Sequence, residues 1–123
     1  MKKKIYFVGA SGLIGSTFVK NYFRKYNLTY THYNNKLGDS VFFDVRKHSL
    51  PKLFKNYGFP DVIIYAAGIS DHFKVKDNKK LSHNTNIKSN LKQIQGLLKI
   101  NCKIIFLSTQ LVYHGKKGNY KET

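Results

Sequence analysis

The chain has 123 residues, of which 22 are Lys or Arg and six are Asp or Glu, so its net charge is +16 at neutral pH. This length suits one domain, and the hydrophobic fraction of 41% excludes disorder of the whole chain. The longest apolar run covers residues 62–69 and falls far short of the roughly 20 residues that cross a bilayer, so we expect no membrane partner.

Strands and helices alternate in the first part of the chain. Lys4–Val8 is an apolar run that ends in a cluster of glycines, and it predicts strand one. From Leu13 the apolar spacing becomes helical, and the helix has one apolar face. That face consists of Leu13, Ile14, Phe18, Tyr22 and Tyr26. Residues 29–33 alternate β-branched and aromatic side chains and predict strand two, and residues 41–44 predict a short strand three.

A second helix and a fourth strand follow. Ser49 as N-cap, Pro51 in the first turn and Gly58 after the end predict a helix over residues 48–57. Residues 61–66, which are apolar after Asp61, have strand length and predict strand four.

A long helix and a fifth strand complete the pattern. Apolar residues that step by four, three and four positions predict an amphipathic helix over residues 84–100. These residues are Ile87, Leu91, Ile94 and Leu98. Residues 103–107 predict strand five, and the alternation of strands and helices implies an α/β fold with a parallel sheet. Only residues 34–40 separate strands two and three, fewer than the dozen or so that a parallel crossover usually needs.

The junction after strand one carries glycines at positions 9, 12 and 15. Gly9 can adopt the backbone angles of a tight turn, Gly12 lets the main chain approach a pyrophosphate, and Gly15 lets the helix pack close to the strand. The free N–H groups at the start of the helix then face the anion. Because the junction lies between a strand and an amphipathic helix, it favours a dinucleotide site. The alternative is a glycine-rich turn that binds no ligand.

Five short motifs follow one another along the chain. They are GASGLIG (9–15), FDV (43–45), YAAG (65–68), TNI (85–87) and STQLVY (108–113). In this order they resemble the motifs of extended short-chain dehydrogenases/reductases, the branch of nucleotide-sugar epimerases, dehydratases and dTDP-4-dehydrorhamnose reductase-like enzymes. The resemblance implies one NAD(P)-binding domain over residues 1–123, with a Rossmann-type doubly wound parallel sheet in the strand order 3-2-1-4-5. It also implies a nucleotide sugar as the substrate of a full-length form.

The resemblance assigns roles to residues at the strand ends. Thr109 is the expected catalytic residue, because a Ser or Thr at this place binds the substrate oxygen in the family, and Ser108 lies behind it. Asp44 is expected at the adenine ring, and residues 66–68 at the ribose and nicotinamide side. The expected cofactor-binding residues are Gly9, Ser11, Gly12, Leu13, Ile14, Gly15, Asp44, Val45, Ala66, Ala67, Gly68, Asn86 and Ser108. Alternatively, the two hydroxyls cap backbone groups, Asp44 is a solvated strand end and Asn86 is an ordinary N-cap.

The family's catalytic YxxxK pair has only a formal counterpart. Tyr113 and Lys117 have the right spacing, but the segment that follows Tyr113 contains Gly115 and is typical of a loop, whereas the family's pair lies on a helix. We therefore expect the pair, the last strands and the substrate lobe beyond Thr123, and we expect this chain alone to be inactive. The alternative function is a non-catalytic dinucleotide-binding or protein-interaction module.

Strand five also indicates that something covers it. Residues 103–107 are apolar on both faces, which is typical of an interior parallel strand. As the last strand it would leave a hydrophobic edge unpaired. We expect this edge to pair with further chain, with a partner or with a second copy.

The end of strand two bears on the choice of cofactor. This strand normally ends in an acid that binds the adenosine ribose of NAD. Residues 32–36 contain no acid, and Lys36 with Asn34 and Asn35 would accommodate the 2′-phosphate of NADP. The sequence therefore favours NADP over NAD.

Residue composition argues against other partners. The five histidines show no metal-ligand spacing, and one cysteine cannot build a zinc site, so we expect no metal. The basic residues are twenty Lys and two Arg spread along the chain, whereas readers of nucleic acid favour Arg, so we expect no nucleic-acid partner. Cys102 suits a reducing compartment, and glycines interrupt the apolar N-terminal stretch where a signal peptide would lie, so we expect a cytoplasmic protein.

Overall fold

The computed structural model describes residues 1–108, 115–116, 118–119 and 121. The strands within these residues are β1 (Lys4–Val8), β2 (Asn27–His32), β3 (Val41–Phe42), β4 (Val62–Tyr65) and β5 (Lys103–Phe106). In this part of the chain they form one parallel sheet in the order β3-β2-β1-β4-β5. The predicted fold class and strand order are confirmed.

The helices of the described part include two that the sequence analysis did not predict. They are α1 (Leu13–Tyr22), α2 (Leu50–Tyr57), α3 (His72–Asp77), α4 (Lys79–His83) and α5 (Asn90–Leu97), with a π-helical segment (Asn84–Ser89) between α4 and α5. The unpredicted helices α3 and α4 start at side-chain caps. Asp71 accepts hydrogen bonds from two N–H groups of α3, and Asn78 accepts one from α4.

The short connection between β2 and β3 is compatible with parallel pairing because β3 is only two residues long. Thr31 pairs with Val41 and His32 with Phe42. The chain has to travel back by only two residues of strand rise, about 7 Å, before it starts β3. No helix is needed for so short a return.

The core lies on both faces of the sheet. On one face, Tyr6 and Val8 of β1 pack with residues of α2 and α5. On the other face, Phe7 packs with Ala10 and with Val19 of α1. Strand β1 is therefore covered on both sides, as expected for the central strand of a doubly wound sheet.

Helix α1 does not pack through the whole apolar face that the sequence shows. Leu13 is 86% exposed and Ile14 is 65% exposed, whereas Gly15 and Val19 are buried. A Cβ built on Gly15 would lie 2.5 Å from Ala10 Cα, so the helix backbone itself contacts the turn here. Because Gly15 and Val19 are four residues apart, they define the face that meets the sheet and leave Leu13 and Ile14 outside.

The long helix also departs from its hydrophobic pattern. An amphipathic helix is expected to bury its apolar stripe. The buried residues of α5 are instead Asn90, Gln93 and Leu97. The exposed apolar residues of this region are Ile87 (49%), Leu91 (55%) and Leu98 (73%). The helix is rotated by about one residue from the predicted orientation, because Asn90 and Gln93 on the neighbouring stripe donate to loop carbonyls, those of Ala67 and Val45.

Across the described residues, none of the helices combines the length and the hydropathy needed to cross a membrane.

Candidate functional site

A cavity of about 740 Å³ lies at the carboxyl ends of the strands. Ligands of open α/β sheets bind at this edge, where successive connections pass to opposite faces. The sequence-predicted residues that line it are Gly9, Ser11, Gly12, Val45, Ala66, Ala67 and Gly68. The predicted residues that are described but lie away from its lining are Leu13, Ile14, Gly15, Asp44, Asn86 and Ser108. Thr109, the expected catalytic residue, lies outside the described residues.

Two glycines of the first turn have different surroundings. Gly9 has φ +82°, and a Cβ built on it would lie 2.8 Å from the backbone nitrogen of Ala67. The N–H of Gly9 donates to Thr31 Oγ1 at 3.0 Å. At Gly12 a Cβ would find only Gly9 O nearby, at 4.0 Å. Gly9 is therefore required by the packing of the strand ends, whereas Gly12 leaves space at the cavity wall.

The N-terminus of α1 borders the cavity, because its N-cap residue Gly12 lines the wall. Gly12 has no side chain that caps the helix, and the first turn carries no acidic residue. The first N–H groups of a helix lack intrahelical acceptors and carry partial positive charge. This end of the cavity therefore favours an anion.

An ion pair between Arg46 and Asp44 stabilises the cavity wall next to β3. Arg46 donates from Nε to Asp44 Oδ1 at 3.0 Å and from Nη2 to Oδ2 at 2.9 Å. Nη2 also donates to the Tyr33 hydroxyl at 2.6 Å, and the guanidinium lies 5.2 Å from the centre of the Tyr33 ring. Arg46 and Tyr33 line the cavity, whereas the buried Asp44 lies behind them. Asp44 thus holds Arg46 in place, a role that the sequence analysis did not assign.

The Asp44 carboxyl should make stability depend on acidity. Hydrogen bonds from Arg46 hold the pKa of Asp44 below its ordinary value. A lowered folded-state pKa stabilises the protein above the unfolded pKa, about 3.9, and this stabilisation is lost as the pH falls through the folded value. We expect Asp44→Asn to reduce the loss of stability between pH 5 and pH 2, roughly the range in which a paired Asp is protonated. Urea unfolding at both pH values measures this.

The control for that prediction is Asp39→Asn, which changes an exposed carboxyl. It should leave the acid dependence as in the wild-type protein. Equal acid dependence of the Asp44→Asn and wild-type proteins would contradict the stabilising role of the pair.

The cavity wall formed by the loop after β4 is held in place by the side chain of Asn86. Its Oδ1 accepts the N–H of Ile69 at 2.7 Å, and its Nδ2 donates to Ile69 O at 2.9 Å. A Cβ on Gly68 would lie 3.0 Å from Asn86 Oδ1, so the loop passes close to this side chain. Asn86, which we predicted to bind the cofactor, uses both the oxygen and the nitrogen of its amide in hydrogen bonds to this loop.

The last wall comes from the segment that contains α3 and α4. Its lining residues are Ile69, Ser70, Asp71, Lys74, Asp77, Asn78, Leu81 and Thr85. Thr85 Oγ1 is buried and has no hydrogen-bond partner among the described residues. A buried unpaired hydroxyl costs about 1–3 kcal/mol, and a polar group of a ligand would relieve that cost. This wall was not predicted from the sequence, because neither α3 nor α4 was predicted.

In the described residues, no cluster of His, Cys, Asp or Glu is arranged to hold a metal ion.

Comparison with known proteins identifies the family. The model of the NAD dependent epimerase/dehydratase family matches residues 5–123. The chain belongs to this family. The resemblance seen in the five motifs is therefore confirmed, and with it a nicotinamide dinucleotide as the cofactor of the family. Comparison with curated proteins gives no match.

Solved structures share the fold of this epimerase/dehydratase chain. A hypothetical dTDP-4-dehydrorhamnose reductase from Sulfolobus tokodaii is 26% identical, with a TM-score of 0.82 over 97% of this chain and 44% of that chain. A UDP-N-acetylglucosamine 4-epimerase from Methanobrevibacter ruminantium M1 is 22% identical, with a TM-score of 0.81 over 100% of this chain and 44% of that chain. A dTDP-4-dehydrorhamnose reductase from Bacillus anthracis, in complex with NADP, is 16% identical, with a TM-score of 0.76 over 96% of this chain and 40% of that chain. The chain spans less than half the length of these proteins.

The residues present fit a dinucleotide. The open space at Gly12 receives a group that approaches the main chain, and the start of α1 favours that group as an anion. The same cavity is also lined by Arg46 and by Ala67. A dinucleotide, in which a pyrophosphate joins two nucleosides, fits a cavity with these surfaces.

Proposed function

We propose that residues 1–123 are the cofactor-binding part of an NAD(P)-dependent enzyme that reduces, epimerises or dehydrates a nucleotide sugar. The observation that carries the proposal is the open space at Gly12, beside the start of α1, in a chain of the NAD dependent epimerase/dehydratase family. The bound dinucleotide supplies the hydride chemistry at a sugar carbon. The residues of this chain bind and orient it.

Each wall of the cavity has a role in this proposal. Gly12 and the first N–H groups of α1 hold the pyrophosphate. Val45 and Arg46 face the adenosine end, with Asp44 supporting Arg46 from behind. Residues 66–68 face the ribose and nicotinamide side. Thr109 orients the oxygen of the substrate that gains or loses a proton.

NADP is the favoured cofactor. Asn34, Asn35 and Arg46 line the cavity, and the stretch after β2 offers no carboxylate there. An acid at this place binds the free 2′-hydroxyl of NAD, whereas a nearby Arg accommodates a 2′-phosphate. Lys36, which the sequence analysis favoured, does not line the cavity, so Arg46 is the better placed cation.

Calorimetric titration of the purified chain with NADPH and NADH tests the proposal. We expect both to bind, NADPH more tightly, and we expect Gly12→Val to weaken both at least about tenfold because its side chain fills the pyrophosphate space. Unfolding in urea should change little, since among the described residues, apart from its neighbours along the chain, the nearest atom to a Cβ at Gly12 is Gly9 O at 4.0 Å. Gly118→Val, at another glycine with open surroundings, is the matched control. Absence of heat with both dinucleotides overturns the assignment.

We also propose that this chain binds the dinucleotide without turning over a substrate. The YxxxK spacing from Tyr113 to Lys117 contains Gly115, which disfavours the helix on which the pair acts. NAD(P)-dependent conversion of a nucleotide sugar by the purified 123-residue chain would contradict this proposal.

A further inference from the structure

Three side-chain amides on one face of the helical segment of residues 84–97 form hydrogen bonds with two walls of the cavity. Asn86, Asn90 and Gln93 are spaced by four and three residues, so they face the sheet together. Asn86 holds Ile69, as described above. Asn90 Nδ2 donates to Ala67 O at 3.2 Å, and Asn90 Oδ1 accepts the hydroxyl of Tyr65 at 2.6 Å. Two of the three amides, Asn86 and Asn90, thus hydrogen-bond the loop that follows β4.

Gln93 makes the third set of hydrogen bonds, which connects α5 to the wall next to β3. Its Nε2 donates to Val45 O at 2.9 Å and to His48 O at 2.6 Å. Its Oε1 accepts the N–H of Leu50 at 3.2 Å. Gln93 is only 5% exposed, and its amide is fully used by these three backbone groups. Lys47 and His48 also donate to Asp44 O, at 3.0 and 2.8 Å, so the start of the turn is held locally, whereas Val45 O, His48 O and the N–H of Leu50 depend on a side chain from α5.

The turn itself offers no replacement for these hydrogen bonds. Leu50 is the first residue of α2, and the N-cap Ser49 makes no side-chain hydrogen bond to the helix. The first N–H groups of a helix need an outside acceptor, which Gln93 supplies. Buried backbone groups that lose their partner cost about 1–3 kcal/mol each, so the turn would move to find others if Gln93 lost its amide. That movement would carry Val45 and Arg46 with it.

We propose that Gln93 is a positioning residue, which sets the adenosine end of the cavity through the turn of residues 45–50. Gln93 does not line the cavity, so it acts only through Val45 and Arg46, which do. The glycine turn, where the pyrophosphate is proposed to bind, is held by different contacts, those of Gly9 with Thr31 and Ala67. Loss of Gln93 should therefore weaken recognition of the adenosine and leave recognition of the pyrophosphate intact. This inference rests on the proposed function.

The test compares two probes on two variants. Gln93→Glu keeps the acceptor for Leu50 and places a second oxygen against two carbonyls, and Gln93→Met removes all three hydrogen bonds at similar volume. Gln95→Glu and Gln95→Met, at an exposed position of the same helix, are the matched controls. Adenosine and inorganic pyrophosphate are titrated separately at physiological salt and followed by ligand-observed NMR. We expect both Gln93 variants to bind adenosine at least about tenfold more weakly and pyrophosphate within about twofold of wild type.

The difference between the loss of affinity for adenosine and the loss for pyrophosphate distinguishes a positioning role of Gln93 from an effect on stability. A variant that is merely less folded loses both probes by the same factor, and that result overturns the inference. Wild-type affinity for adenosine in both Gln93 variants also overturns it, while the proposed function stands. A wild-type protein that binds neither probe and no dinucleotide overturns the proposed function and this inference together. If Gln93→Glu does not fold, as judged by circular dichroism, the Gln93→Met comparison decides.

Discussion

Replacement of Gly9 by Ala is expected to lower the free energy of unfolding by about 3–5 kcal/mol, which is enough to unfold many small domains. Two costs add. The residue has φ +82°, a conformation that a side chain disfavours by about 1–3 kcal/mol. The new Cβ would also lie 2.8–3.0 Å from backbone atoms of Ala66 and Ala67, and Ala66 is held against β1 because its N–H donates to Val8 O at 2.8 Å. Urea unfolding, followed by circular dichroism, measures the difference.

Gly58→Ala is the matched control for Gly9→Ala. Gly58 has φ +92°, and in the described part of the chain, apart from its two neighbours in sequence, no atom lies within 4 Å of a Cβ built there. It therefore incurs the backbone cost alone, about 1–3 kcal/mol. The excess at Gly9 measures the contact between the glycine turn and the end of β4. Equal costs at the two positions would contradict that contact.

The glycine motif shows what sequence can and cannot predict in this protein. Three glycines at equal spacing between a strand and a helix predicted a dinucleotide turn. The turn conformation expected for Gly9 agrees with its φ of +82°, and the close packing expected for Gly15 agrees with its contact with Ala10. The contacts separate two kinds of glycine that look alike in the sequence. Gly9 and Gly15 press against protein backbone, whereas Gly12 faces open space. Only Gly12 is free to affect binding without affecting the fold.

The strands were predictable because each is a short run of apolar, β-branched or aromatic residues between turn residues. Helices α3 and α4 were not, because they have six and five residues, too few to show a helical period. Their ends are fixed by Asp71 and Asn78, whose capping role becomes evident only once the chain is folded. The cavity wall that they carry was missed for the same reason.

The site was predictable at the strand ends and not in the loops. The residues expected from the motifs at Val45 and Ala66–Gly68 do line the cavity. Arg46 was missed, although Asp44 and Arg46 form an acid–base pair two residues apart, because such a pair reaches a cavity only when the following turn is held in place. Gln93 holds that turn from 43 residues downstream of Leu50, a contact that no local pattern indicates.

Helix α5 gives the sharpest disagreement between hydrophobic pattern and structure, and a pair of neighbouring leucines tests it. We expect Leu97→Ala to lower the free energy of unfolding by about 2–5 kcal/mol, because Leu97 is fully buried and its loss leaves a cavity. We expect Leu98→Ala to change it by less than about 0.5 kcal/mol, because Leu98 is 73% exposed. Urea unfolding of both variants, fitted with a common slope, measures the two values.

The two leucines control each other, since the substitution is identical and the positions are adjacent on one helix. The hydrophobic pattern places Leu98 with Ile87, Leu91 and Ile94 on the core-facing stripe and therefore predicts the opposite ranking. A larger cost at Leu98 than at Leu97 would mean that the helix is turned by one residue, about 100°, toward that stripe. In that orientation Gln93 would leave the turn of residues 45–50, so the same pair of measurements also bears on the hydrogen bonds that position the cavity wall.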